Sequence, residues 1–190
     1  YINIKVYVEG KELSTSSSDV VSVDYNGKDK TFVVKDENGN DITSGITGIT
    51  ATKNAGNYDF DIEVNDAVNK LKTKEVNKYY LQIKPKSVNA VITSKDSLTV
   101  SDGTLLIENQ YGKKDPNFNV EYRSGLIISD STLEMKFVAN LGGELKDLNT
   151  LYVGSYDLEF VSATIGETID KNYTFNYVYN GQKVNVKYNV

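Results

Sequence analysis

The chain has 190 residues and a formal net charge of −5, with acidic and basic side chains interspersed. It has no cluster of lysine and arginine to contact phosphates, which argues against nucleic-acid binding. It also contains no cysteine and no histidine. Disulfides, thiolate metal sites and histidine-dependent hydrolase chemistry are therefore excluded. No apolar run approaches the roughly 20 residues that span a bilayer, so we expect no membrane insertion.

The first eight residues, starting at Tyr1, already alternate between apolar and polar side chains, as a half-buried strand does. No signal peptide precedes this strand. The chain is then expected to be either a cytosolic protein or a segment of a longer one, and the internal repeat described below favours the segment.

Alternation of period two continues along the chain and predicts further strands at residues 58–64, 156–160 and 173–179. Asn180-Gly181 lies between two alternating runs and predicts a hairpin, because both residues tolerate positive φ. A second hairpin is expected around residues 36–41. Helical periodicity is weak, and only short helical turns are expected, within residues 67–78 and 141–151.

An internal repeat is the most informative feature of the sequence. Residues 25–34 align without gaps on residues 111–120, and residues 55–62 align on residues 153–160. The second offset is larger, which places an insertion within residues 140–151. A third block, residues 77–83, resembles residues 171–177.

Three blocks in the same order predict two tandem domains, residues 1–86 and residues 87–190, with the boundary just after Pro85. Short antiparallel strands without a βαβ rhythm favour an all-β fold with two sandwich-like antiparallel domains. The alternative is a pair of β-grasp-like domains, each with one short helix crossing a sheet.

The repeated motifs resemble the MBG (mostly-beta, glycine-rich) domains of bacterial cell-surface and adhesin proteins. In the second copy, the resemblance rests on the following segments: Tyr111-Gly-Lys-Lys-Asp-Pro116, Gly125-Leu126, Val153-Gly-Ser-Tyr156, Asn172-Tyr173 and Gly181. The first copy matches through Tyr25, Asp29, Ala55-Gly-Asn-Tyr58 and Asn77-Lys-Tyr-Tyr80, but it lacks the proline after Asp29.

The resemblance implies an extracellular protein at the bacterial cell surface, anchored to the cell wall through regions outside this chain. The expected function is that of a non-catalytic structural or stalk segment, in the form of a monomer whose partners are neighbouring domains of the same polypeptide. The alternative is a binding module that recognises a host surface protein or glycan through exposed tyrosines and loops. Most of the tyrosines alternate with polar residues on predicted strands and are expected in the core, and Tyr7, Tyr122 and Tyr179 are the candidates for exposure.

The only candidate metal ligands lie in the second predicted hairpin: Asp36, Asn38, Asn40 and Asp41. Oxygen ligands at alternate positions are typical of calcium loops, but Gly39 is misplaced for an EF-hand and the distal glutamate is missing. A hairpin turn explains the same residues, so no cofactor is expected.

No catalytic residue is expected either. Carboxylates such as Asp59 and Asp157 lie on the polar faces of predicted strands, where we interpret them as solvated. A lysine–asparagine isopeptide crosslink stays open, because the sequence does not show whether a buried lysine lies beside an asparagine.

Overall fold

A computed structural model describes residues 1–113, 117–164 and 166–190. The Asp115-Pro116 step of the repeated motif lies outside the described residues. The chain forms two compact units, Tyr1–Lys86 and Ser87–Val190. This division falls at the boundary that the repeat places in the sequence.

The protein is all-β and sandwich-like, as the alternation predicts, with 49% of its residues in strands. The helical segments among the described residues are 3₁₀ turns of three or four residues. A β-grasp domain needs a longer helix across its sheet, and the described residues contain no helix of seven or more residues.

The first unit, Tyr1–Lys86, has eight strands in its described residues, and they form two sheets. One sheet has the order β2-β1-β4, and the other has the order β3-β8-β6-β5 with β7 paired to the far end of β6. The strands are β1 (Lys5–Val8), β2 (Lys11–Glu12), β3 (Val21–Asp24), β4 (Phe32–Lys35), β5 (Ile46–Thr47), β6 (Gly56–Asp66), β7 (Leu71–Lys72) and β8 (Asn77–Lys84).

The second unit, Ser87–Val190, also has two sheets, with the orders β12-β9-β16-β17 and β10-β11-β18-β15-β13-β14. Its strands are β9 (Lys86–Thr93), β10 (Thr99–Ser101), β11 (Thr104–Glu108), β12 (Asn119–Glu121), β13 (Met135–Leu141), β14 (Glu144–Asp147), β15 (Ser155–Ser162), β16 (Tyr173–Tyr179), β17 (Gln182–Lys183) and β18 (Asn185–Asn189).

Each unit has its own core, formed where the apolar faces of its two sheets meet. In the first unit, the rings of Phe32 on β4 and Phe60 on β6 meet edge to face, with centroids 5.0 Å apart. In the second unit, Phe118 just before β12 packs against Phe137 on β13 at 5.7 Å and against Tyr188 on β18 at 6.4 Å. Side chains of one sheet therefore interdigitate with those of the other, as in a sandwich.

The strand registers show that the two units share one arrangement. Val34 on β4 lies opposite Val6 on β1, and Val120 on β12 lies opposite Ile92 on β9. Both members of the second pair lie 86 residues after those of the first pair, which is the offset of the first repeat block.

The same comparison corrects the third repeat block. Tyr58 on β6 lies opposite Leu81 on β8, whereas its repeat partner Tyr156 on β15 lies opposite Tyr188 on β18. The structural counterpart of β8 is therefore β18, and the alignment of residues 77–83 on residues 171–177 is wrong. Local similarity between two tyrosine-rich strands outweighed the true register, which only the pairing with a distant strand reveals.

The hairpin predicted at Asn180-Gly181 is confirmed: Tyr179 pairs with Gln182, and both turn residues have positive φ, 48° and 73°. These angles match a type I′ turn, whose twist suits the flanking strands. After Val184 the chain leaves this sheet, and β18 joins the other sheet between β11 and β15.

The short helical turn predicted within residues 67–78 is absent from the structure, and the one predicted within residues 141–151 is a single 3₁₀ turn. Residues 67–70 form the turn between β6 and β7, where the Asp66 carboxylate accepts the N–H groups of Val68 and Asn69. The second segment forms the hairpin of β13 and β14, followed by a single 3₁₀ turn at Leu148–Thr150. Glycines at 142 and 143 adopt positive φ and form the tip of that hairpin.

The repeated Gly-x-Tyr motif forms the same local structure in both units. The Tyr58 hydroxyl donates to the Asn54 carbonyl at 2.6 Å, and the Tyr156 hydroxyl donates to the Tyr152 carbonyl at 2.7 Å. A Cβ atom on Gly154 would lie 3.2 Å from the Tyr156 hydroxyl. Glycine two residues before the tyrosine therefore leaves room for the ring to fold back and fasten the loop that enters the strand, in the manner of a tyrosine corner.

Replacing either corner tyrosine tests this interpretation. We expect Tyr58→Phe and Tyr156→Phe each to lower the free energy of unfolding of its own unit by about 0.5–1.5 kcal/mol, because each loses one hydrogen bond and no packing volume. Urea unfolding followed by tyrosine fluorescence measures the change. Tyr152→Phe is the control, since that exposed hydroxyl has no partner among the described residues. An unchanged midpoint for both corner variants would contradict the interpretation.

Candidate functional site

The candidate calcium residues form a turn stabilised by its own side chains. Asp36 Oδ1 accepts the N–H groups of Asn38 and Asn40, both at 2.9 Å, and Asp36 Oδ2 accepts the side-chain amide of Asn40 at 3.2 Å. Asp41 Oδ1 accepts the N–H of Thr43 at 2.9 Å and also its hydroxyl. The carboxylates that would bind calcium are thus already used as hydrogen-bond acceptors.

Hydrogen bonding also lowers the pKa of both carboxyl groups in this turn. The N–H of Asn40 is the main cause that lowers the pKa of Asp36, and the Thr43 hydroxyl is the main cause that lowers the pKa of Asp41. Across the residues that the structure describes, no three carboxylate, histidine or cysteine side chains are grouped closely enough to hold a metal ion. Asp36, Asn38, Asn40 and Asp41 thus form the hairpin turn that we prefer to a calcium site, and calcium binding there is untested.

The turn predicts a pH dependence of stability. Because the pKa of Asp36 is lower in the folded chain than in the unfolded chain, its contribution is complete above about pH 4 and is lost as the pH falls further. We expect the stability difference between the wild type and Asp36→Asn to shrink as the pH falls from 6 to 2.5. Thermal unfolding across this range measures it, and Asp157→Asn on an exposed strand face is the control. A difference that grows towards low pH would contradict the assignment.

Asp59, Asp61 and Asp157 are exposed on the strand faces, as the alternation predicts, whereas Glu63 and Glu159 are half-buried. Lys78 lies between Asp59 and Asp61, at 3.3 and 3.2 Å, and the hydrogen bond that its ammonium donates to Asp61 is the main cause that raises the pKa of Lys78. Asp61 and Lys78 are direct cross-strand partners on β6 and β8. Exposed pairs of this kind fine-tune strand pairing and contribute little stability.

None of the three candidates for an exposed tyrosine, Tyr7, Tyr122 and Tyr179, is fully exposed. Tyr122 and Tyr179 are buried, which corrects the expectation, and Tyr7 is half-buried. The Tyr122 hydroxyl donates to the Leu133 carbonyl and accepts the Met135 N–H at 2.9 Å, so it fixes the start of β13.

The second unit instead exposes a stacked pair of tyrosines. Tyr111 and Tyr152 are 62% and 75% exposed, and their rings lie 6.3 Å apart with an interplanar angle of 17°. Val153 beside them is 75% exposed. Tyr25, the repeat partner of Tyr111, is buried in the first unit. The repeat alone therefore did not predict which of the two tyrosines faces solvent.

The second unit has a groove of about 420 Å³ between its two sheets, beside β12. Phe118, Val120 and Tyr122 line it from the side of β12, and Phe137 and Phe160 line it from β13 and β15. Lys136 and Asp147, paired at 2.9 Å, lie at its rim. The groove is thus an aromatic cleft with one ion pair at its border, suited to an apolar side chain.

Two buried polar groups outside these sites hold local structure. The Lys30 ammonium contacts the Glu9 carboxylate at 2.7 Å and the Asp24 carbonyl at 2.6 Å, so the partners of this buried lysine are not those of an isopeptide crosslink. In the second unit, the Tyr173 hydroxyl donates to buried Asp130 and accepts the Ile127 N–H at 3.1 Å. Sequence patterns gave no sign of either contact.

Comparison with known proteins finds no matching family model, no matching curated protein and no matching solved structure. Within the described residues, no helix is long and apolar enough to cross a membrane.

Proposed function

We propose that the chain is a non-catalytic, load-bearing stalk segment of a bacterial cell-surface protein of the adhesin type. The observation that carries the proposal is the position of the first and last strands in each unit. Each of these strands is paired along both of its edges, so tension on the chain meets two ladders of hydrogen bonds at once.

In the first unit, the last strand β8 lies between β3 and β6, and it runs parallel to β3. In the second unit, the last strand β18 lies between β11 and β15, and it runs parallel to β11. The first strand of each unit, β1 or β9, likewise has a neighbour on both sides.

Tension along the axis of a strand loads the hydrogen bonds of its ladder in shear, and therefore together. A strand that is paired on both edges has two such ladders to break, whereas an edge strand has one. Because unfolding under force is governed by the barrier to the first rupture, simultaneous loading slows it. The arrangement is therefore suited to a protein segment that stays folded under tension.

The connection between the units supports the same proposal. β8 ends at Lys84 and β9 begins at Lys86, so Pro85 alone separates the last strand of one unit from the first strand of the next. Proline fixes its own φ angle and so narrows the range of backbone conformations at this junction. Tension passes from one unit to the next with almost no slack chain.

The resemblance to MBG domains supplies the proposed location: outside the cell, attached to the wall through regions beyond this chain. The proposed partners are neighbouring domains of the same polypeptide. Tandem units with a short junction suit such an array.

Single-molecule pulling on the whole chain through its two ends tests the load-bearing proposal. We expect two separate unfolding events that release roughly 280 and 340 Å of chain, the lengths expected for the two units after subtraction of their folded size. Gln82→Pro removes a ladder N–H from β8 and should lower the force of the smaller event only, because a central strand does not tolerate proline.

Glu12→Pro is the matched control, since it places proline in the two-residue edge strand β2. It should change the smaller event far less than Gln82→Pro does. Extension of the wild type without discrete events, or equal effects of the two proline variants, would contradict the proposal.

The exposed tyrosine pair favours a second candidate function, recognition of a host glycan. Tyr111 and Tyr152 present two nearly parallel aromatic rings to solvent. Exposed aromatic rings stack on the apolar faces of sugars, and an exposed apolar patch commonly marks an interaction site.

A glycan array probed with the wild-type chain tests this candidate. We expect binding that falls at least tenfold in Tyr111→Ala and Tyr152→Ala, because each removes half of the stacking surface. Tyr1→Ala, which removes an exposed tyrosine from the other unit, should leave binding unchanged. Absence of binding above background, or equal loss in all three variants, would eliminate glycan recognition by this pair.

A further inference from the structure

Among the residues that the structure describes, the strand β12 has a neighbour on one edge only. It stands at the end of the order β12-β9-β16-β17 and pairs there with β9. Free edges of this kind are templates for pairing with another chain, and folded proteins commonly cover them.

The first unit covers its equivalent edge with its own chain. Val34 on β4, the counterpart of Val120 on β12, donates its N–H to the Thr43 hydroxyl at 3.0 Å. Its carbonyl accepts the Ile42 N–H at 2.8 Å. Lys35 and Asp41 form an antiparallel bridge beside them. A short extended segment therefore lies along β4, antiparallel to it.

The second unit leaves the same backbone groups uncovered. Val120 and Val34 both point their side chains inward, and each lies opposite its equivalent residue on an antiparallel neighbour. In a strand, side-chain direction and strand direction together fix where the N–H and C=O point. The N–H and C=O of Val120 thus point away from β9, and neither has a hydrogen-bond partner within the described part of the chain.

The reason for the difference lies in the chain that follows each strand. After β4, the hairpin of residues 36–41 returns the chain directly along the strand. After β12, the chain turns away through 3₁₀ turns at Arg123–Gly125 and Ile128–Asp130 before it enters β13. The aromatic groove described above opens beside this uncovered edge, with Val120 and Phe118 among its lining residues.

The exposed edge of β12 carries an acidic residue where β4 carries a basic one, and this difference indicates which side chain a bound segment needs at that position. In the first unit, Lys35 on β4 lies opposite Asp41 of the covering segment. Glu121 occupies the position of Lys35 in the second unit, 86 residues later, and is exposed. Opposite charges are favoured at directly facing positions of antiparallel strands, so the position opposite Glu121 calls for lysine or arginine.

We propose that the free edge of β12 and the adjoining groove bind an extended segment of a partner protein that runs antiparallel to β12. In this segment a basic residue faces Glu121, the next residue is apolar and enters the groove, and the third carries a hydroxyl that accepts the Val120 N–H. Backbone hydrogen bonds give affinity in such strand addition, and side-chain pockets give specificity.

A pair of synthetic peptides tests the proposal on the whole chain. One peptide has the sequence of residues 37–47, and the other is identical except for Asp41→Lys. Titration at millimolar concentration is followed by the backbone amide signals of the ¹⁵N-labelled protein. We expect both peptides to shift the Val120 amide, with the Asp41→Lys peptide binding roughly 1.5- to 5-fold more tightly.

Two protein variants sharpen the test. Glu121→Lys should reverse the preference between the peptides, because it restores the charge found on β4. Val120→Pro should abolish the binding of both peptides, since it removes the N–H at the free edge, and an edge strand tolerates proline. Thermal unfolding of each variant shows that it is folded.

Three results would overturn the proposal: no shift at the Val120 amide with either peptide, shifts confined to residues away from β12, or a preference that Glu121→Lys does not change. Shifts at Val120 that depend on the concentration of the protein alone would assign the edge to a second copy of this chain instead.

Discussion

The last strand of each unit is held along both edges, and the rest of the unit is arranged around that constraint. β8 and β18 each lie between a parallel strand and the antiparallel strand that follows the Gly-x-Tyr motif. A parallel neighbour cannot be reached by a tight hairpin, so the chain must close the unit with strands that are distant in sequence. The first and last strands of each unit lie in different sheets, and the apolar faces between these sheets form the core.

Strand pairing of this kind explains which local motifs recur. The tyrosine corners at Tyr58 and Tyr156 fasten the loops that lead into β6 and β15, the strands that pair with β8 and β18. The motif occurs in both units because the loops before β6 and β15, which are equivalent strands, are fastened in the same way. The units differ between β4 and β6 in the first and between β12 and β15 in the second. Here the second unit has the additional hairpin of β13 and β14 and the exposed edge of β12, while the pairing of β8 and of β18 with their two neighbours is the same.

The sequence predicted the all-β class, the Asn180-Gly181 hairpin and the turn at residues 36–41, because each depends on alternation or on φ preferences of neighbouring residues. It did not predict which strand of the second unit corresponds to β8. The sequence of the tyrosine-rich strand β16 resembles that of β8, whereas β18 corresponds to β8 by its pairing with β15, a strand that is distant in sequence. The hairpin at Asp102-Gly103 was missed, although its Asp-Gly signal was present.

The groove was beyond sequence reasoning for a similar reason. Phe118 and Phe137 come together only through the packing of two sheets, and the repeat could not show whether Tyr25 or Tyr111 is buried. The aligned blocks show that Glu121 takes the place of Lys35. They do not show that the edge of β4 is covered by residues 41–43 while the edge of β12 is free within the described residues.

Backbone hydrogen exchange on the intact chain shows whether each unit is built around a last strand held on both edges. The amides of β8 and β18 should exchange only when the whole unit unfolds, and they should be the slowest in their units. The amide of Val120 should exchange quickly, although its side chain is partly buried. Rapid exchange along β8 and β18, or strong protection of Val120 in the isolated chain, would contradict the account.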